Sequence, residues 1–95
     1  MIVDAGSKVL TSDTMGLSGF GHILEYPDAQ IRELHEEHGI VDLTACTGAS
    51  PKIGDVVQII PNHACVVSNL FDRVFLRHGD GRIEAQDVAC RGQVW

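Results

Sequence analysis

The sequence predicts a mainly β fold, a small β-barrel or sandwich with short helical turns, and three observations carry that prediction. Short runs rich in Val, Ile and Phe recur along the chain, with Gly, Pro, Asn and Asp marking the turns between them. An Asp-Gly pair near the C-terminal end lies between two such runs, a hairpin signal because these residues accept the positive φ of a tight turn. No internal repeat or low-complexity segment interrupts the pattern. With 44% hydrophobic and 21% charged residues, positions 1–95 are expected to form a single domain around one core. A domain of this size buries only roughly 60–70% of the surface its unfolded chain exposes, so it has little spare stability and leans on a partner.

The elements follow in order. Ile2-Val3 reads as a strand running straight into Asp4-Ala5-Gly6-Ser7, as if the chain opened inside a strand, and Lys8 to Thr11 can extend it. Ser12 to Gly21, rich in Gly, Ser and Asp, reads as a loop whose plain interpretation is a surface connection. Gly19-Phe20-Gly21 leads into a strand over His22 to Tyr26 that Pro27-Asp28 stops. Ala29 to Gly39 fits two periods: Ile31, Leu34, His35 and His38 have helical spacing, yet the same stretch also alternates as a strand. Periodicity does not separate the two. Ile40 to Leu43 reads as a short strand, and Thr44 to Lys52 as a loop. The clearest strand is Val56-Val57-Gln58-Ile59-Ile60, β-branched apart from Gln58, which suits a strand covered on both faces. Pro61 stops it, Val66 to Phe71 make a short helical turn, and Arg73 to Arg77 pair with Arg82 to Ala85 across His78-Gly79-Asp80-Gly81. Gln93-Val94-Trp95 can close one more strand.

A formal net charge of −6 without any Lys/Arg cluster excludes a nucleic-acid or anionic-membrane surface, since phosphate binding needs concentrated positive charge. No stretch approaches the roughly 18 apolar residues that span a bilayer. The first residues lack the basic and apolar segments of a secretory signal, so a cytoplasmic location is expected by default. Cys46, Cys65 and Cys90 are odd in number and form no C-x-x-C pair, which argues against a disulfide framework and for reduced thiols.

One constellation carries chemistry. His63 and Cys65 are two good zinc ligands, separated by one residue, in a loop beside a strand end. A packed, non-ligating pair is the bland alternative. Two donors do not close a structural zinc site, so a metal held here would keep positions open for water or substrate. Cys46, Cys90 and the histidines at 22, 35, 38 and 78 remain possible completions of a closed site through folding. His38 stands beside carboxylates in Glu36-Glu37-His38-Gly39, where a solvated charged face is the simpler role.

Val3-Asp4-Ala5-Gly6-Ser7-Lys8, Gly19-Phe20-Gly21, Glu36-Glu37-His38-Gly39, Gly54-Asp55, Pro61-Asn62-His63-Ala64-Cys65, Asn69-Leu70 and the ending Arg91-Gly92-Gln93-Val94-Trp95, taken together, resemble the C-terminal domain of the D-serine dehydratase-like and D-threonine aldolase family. The resemblance runs nearly end to end. It implies the second domain of an alanine-racemase-type two-domain enzyme, whose N-terminal (β/α)-barrel holds pyridoxal phosphate on a lysine. No segment here resembles that barrel, so the chain is expected to hold no catalytic or cofactor-binding residue of its own and to be inactive in isolation. The family's metal motif falls on His63 and Cys65. Cys at the second position matches members resembling D-serine dehydratase, which turn D-serine into pyruvate and ammonia, whereas Asp marks those resembling D-threonine aldolase. Thiolate also suits zinc better than harder ions. The implied partners are the barrel domain, a small D-amino acid and, when intact, a second subunit of a homodimer. The aldolase activity and a free-standing, non-catalytic β interaction module stand as alternatives.

Overall fold

The computed structural model describes residues 1–93, so the strand expected over Gln93-Val94-Trp95 extends outside the described residues. Mainly β structure is what it shows. Strands β1 (Ile2–Val3), β2 (His22–Ile23), β3 (Gln30–Leu34), β4 (Gly39–Asp42) and β5 (Ile59–Ile60) form one antiparallel sheet in the order β1-β4-β3-β2-β5. Helices α1 (Ser7–Leu10) and α2 (Ala64–Leu70) lie against each other, and β6 (Arg73–Arg77) pairs with β7 (Ile83–Asp87) as a separate hairpin. Among the described residues no helix is long and apolar enough to cross a membrane.

The core is small. Leu10, Ile23, Ala29, Ile31 and Val41 are buried, with Val3, Phe20, Tyr26, Leu34 and Ile59 packed around them. The double periodicity of residues 29–39 has a structural cause. Ile31 pairs with Val41 and Glu33 with Ile40, so Arg32 is the extra residue of a β-bulge. The bulge turns Leu34 to the same face as Ile31, three residues earlier, which is why a strand carries helix-like spacing.

Two expectations are corrected. Lys8 to Thr11 do not extend β1: Lys8 to Leu10 form most of α1 and Thr11 caps its C-terminal end, because the β3–β4 turn receives that helix's first amides. Ser7 N–H donates to the His35 carbonyl at 2.8 Å and Lys8 N–H to the Glu36 carbonyl at 3.2 Å, which satisfies donors a helix start leaves free. Lys8 also pairs with Glu37 and lies 3.8 Å from Glu36. That ammonium holds the Glu37 carboxyl below the ordinary range, and its own pKa is raised in return.

The run Val56 to Ile60 does not form a strand covered on both faces. Only Ile59 and Ile60 pair, with Ile23 and His22. Beyond them the Glu25 carboxylate accepts from the Gln58 amide at 2.9 and 3.1 Å in place of a ladder carbonyl, which also draws the Glu25 pKa down. The ladder ends there. Likewise β2 covers only the first two residues of the strand expected over His22 to Tyr26.

The sheet is curled. Its edges, β1 and β5, border the same apolar groove of about 860 Å³, together with Val9, Ile53, Val56 and Val67. Ile53 and Val56 are 106% and 92% exposed, so the rim of this half-barrel presents bare hydrocarbon to solvent.

Candidate functional site

His63 and Cys65 lie where β5 passes into α2. Pro61 ends the ladder, His63 keeps extended backbone (φ −138°, ψ 116°) as the residue before the helix, and Cys65 is the second residue inside it. The His63 side chain is 33% exposed, whereas Cys65 is exposed and its thiol is free.

The polar loop 11–21 is tied onto this junction. Asn62 donates through Nδ2 to the carbonyls of Thr14 (3.2 Å) and Gly19 (2.9 Å). Gly21 approaches so closely, at φ +131°, that a Cβ there would lie 3.0 Å from Ile59 Cγ2 and 3.1 Å from the Ile60 carbonyl. The strapping brings Asp13 to His63, with Oδ2 3.5 Å from Nδ1. Sequence reading treated this loop as a plain connection and missed both Asp13 and Asn62. The Ser12-Asp13 turn carried no hint of a partner fifty positions away.

The other candidates are placed elsewhere. His35 Nε2 lies 3.3 Å from Glu33 and His78 Nε2 lies 3.0 Å from Glu84, both as partners on their own strands or hairpin. Cys46 packs against the core, and Cys90 is exposed in the turn after β7. Among the described residues no group of three or more His, Cys, Asp or Glu could hold a metal ion, so a closed site assembled from these residues is not formed. What remains is one imidazole and one thiol, a borderline and a soft donor, with the Asp13 carboxylate on the Nδ1 side of the imidazole and no three-donor group among the described residues.

The sequence fragments that carry the resemblance meet in pairs. Gly6-Ser7-Lys8 touches His35 to Glu37, and Gly19 and Gly21 touch the Ile60 to Asn62 segment. The Asn69 side chain accepts from the Gly92 amide at 2.7 Å, while Arg91 Nη2 donates to the Leu70 carbonyl at 2.8 Å.

Fold and site together define a small curled β domain with His63 and Cys65 at the junction of β5 and α2. Residues 1–77 match the family described as "Putative serine dehydratase domain", and the chain belongs to that family. An uncharacterized protein of Mycobacterium tuberculosis (strain ATCC 25618 / H37Rv) is 35% identical over 94 residues, 98% of this chain and 70% of that one. The D-serine dehydratase of Schizosaccharomyces pombe is 26% identical over 97% of this chain. The crystal structure of D-threonine aldolase from Filomicrobium marinum superposes with a TM-score of 0.77 at 29% identity over 99% of this chain. The chain spans only 23% and 24% of those last two proteins.

Proposed function

We propose that this chain is the metal-binding C-terminal domain of a pyridoxal-phosphate lyase for small β-hydroxy D-amino acids, of D-serine dehydratase type. The observation that carries the reading is the His63/Cys65 donor pair within a chain of this family. Both named relatives act, by their names, on D-amino acids bearing a β-hydroxyl. Cys rather than Asp at position 65 favours the dehydratase over the aldolase, and zinc over harder ions.

His63 and Cys65 would hold the zinc, and because no third donor among the described residues joins them, coordination positions are left for the substrate's oxygen atoms. Bound there, the metal supplies Lewis-acid polarisation of the β-hydroxyl, while pyridoxal phosphate in the other domain supplies an electron sink. The strapped loop 11–21 holds one wall of the donor site in place through Asn62. Cys65, free and exposed, needs a reducing setting to stay a ligand, which fits the cytoplasm. The test is turnover of D-serine and D-threonine by the intact protein, with and without a chelator. Loss of D-serine turnover on chelation, restored by zinc, is expected; no D-serine turnover, or turnover indifferent to the chelator, refutes the reading.

The apolar groove between β1 and β5 is the surface on which the barrel domain would dock in the intact homodimer. Ile53→Ser with Val56→Ser is expected to change the melting of the isolated chain by less than about 0.5 kcal/mol, since both side chains are solvated. In the intact enzyme the same pair should cost several kcal/mol, at roughly 1.5–3 kcal/mol for each apolar side chain that docking buries. Equal, negligible effects in both would remove this surface from the interface.

One observation favours a second reading, a free-standing β domain without catalysis. Ninety-four aligned residues are 70% of the mycobacterial relative, which makes it about 134 residues long, shorter than the roughly 250 of a (β/α)-barrel alone. An in-frame barrel upstream of Met1 in the source gene decides for the lyase; a true start codon at Met1 favours the module or a split subunit.

A further inference from the structure

We infer that Asp13 is a positioning residue for His63, holding the imidazole with its proton on Nδ1 so that Nε2 is the nitrogen offered to a divalent cation. The inference rests on the metal reading of His63 and deepens it. Asp13 Oδ2 lies 3.5 Å from Nδ1, so of the two ring nitrogens this one faces a carboxylate and Nε2 is left for coordination.

The carboxylate is itself oriented. Its Oδ1 accepts from the Met15 amide at 2.9 Å, and the Asp13 amide donates to Thr11 Oγ1 at 3.3 Å. The chain then reverses through Met15 (φ +52°) and Gly16 (φ +78°), a turn closed by the Leu17 amide donating to the Thr14 carbonyl at 2.9 Å. Asn62 then fixes the loop to the residue adjoining His63 through two carbonyls on either side of the turn, Thr14 and Gly19. Four hydrogen bonds therefore fix the loop that places a carboxylate beside the Nδ1 edge of the imidazole. A ligating histidine characteristically donates its second N–H to a carboxylate or carbonyl, which sets its tautomer and raises its basicity, and loss of that partner costs about 10- to 100-fold in metal affinity. A mere surface ion pair would contribute little and would leave the tautomer unchanged.

The experiment measures zinc affinity by chelator competition on the 95-residue chain, with Asp13→Asn, Asp13→Glu and His63→Ala beside the parent. Ring ¹H–¹⁵N correlations of His63 are recorded on the metal-free and zinc-loaded forms, with circular dichroism as the check on folding. Expected are zinc binding about 10- to 100-fold weaker in Asp13→Asn, loss of the Nδ1–H tautomer preference in its metal-free spectrum, and partial recovery of both in Asp13→Glu. Parent-like affinity and an unchanged tautomer in Asp13→Asn would overturn the positioning role and leave the metal reading standing. A parent chain that binds zinc no more tightly than His63→Ala would remove both.

Discussion

Gly6→Ala is expected to melt at least about 12 °C below the parent chain or to fail to fold, as followed by circular dichroism on heating. A Cβ at position 6 would lie 2.2 Å from the His35 carbonyl oxygen, 2.4 Å from that of Glu36 and 2.5 Å from the Glu36 carbonyl carbon. All three are backbone atoms, so no rotamer change relieves the overlap. Relief requires the β3–β4 turn to withdraw, which breaks the amide bonds from Ser7 and Lys8 and separates Lys8 from Glu36 and Glu37. Gly39, packed 2.8 Å from the Ala5 carbonyl by the same Cβ measure, would be pulled along. Overpacking costs about 1–3 kcal/mol where side chains can shift and more where only backbone can. About 3 kcal/mol or more, at roughly 4–8 °C for each kcal/mol in a domain of this size, gives the stated shift. Gly79→Ala, where an added Cβ meets nothing within 4 Å, is the control and should stay within about 0.5 kcal/mol. A Gly6→Ala chain melting within a few degrees of that control would contradict the close approach.

The same contact explains what could and could not be read in advance. The hairpin of β6 and β7 was legible because its signal is local: Asp80-Gly81 supplies the turn, with Gly81 at φ +87°, and β-branched or aromatic residues flank it. The start of α1 was not, since the acceptors that favour a helix over a continued strand there are the carbonyls of His35 and Glu36, far along the sequence. For residues 29–39 the obstacle was a one-residue bulge, which shifts a period of two into a spacing of three and so imitates a helix. The run Val56 to Ile60 has strong β propensity, but propensity reports fit to a pleated surface and not the presence of a partner strand. With β2 only two residues long and Glu25 taking the Gln58 amide, Val56 and Val57 have no strand to pair with, and Gln58 keeps only the Leu24 amide on its carbonyl at 2.9 Å. Legibility of the site divides in the same way. His63 and Cys65 stood out by residue type and adjacency, whereas Asp13 and Asn62 matter only through a loop folded onto them.

On the proposed lyase reading, His63→Ala and Cys65→Ser, each placed in the intact protein, are expected to lower D-serine turnover by at least about 100-fold while the visible absorbance of the bound cofactor is unchanged. Lewis-acid assistance to a poor leaving group contributes several kcal/mol, and each 1.36 kcal/mol is a factor of ten in rate. The two side chains stand on a domain other than the one proposed to hold the cofactor, which is why cofactor attachment should not follow the loss. Both substitutions should also leave the fold intact, because Cys65 is exposed and His63 only half-buried, with no buried polar atom left unpartnered among the described residues. Separating metal loss from unfolding therefore needs no more than a melting curve on the same samples. Donor chemistry gives a sharper arm. Cys65→Asp exchanges a soft sulfur for a hard oxygen at the same position, so zinc should bind less tightly and manganese relatively better. If the metal acts on the β-hydroxyl, the Asp variant should regain activity with added manganese while the Ser variant does not. Full turnover by His63→Ala after exhaustive chelation, or equal behaviour of the Asp and Ser variants toward both ions, would place the leaving-group chemistry somewhere other than this rim.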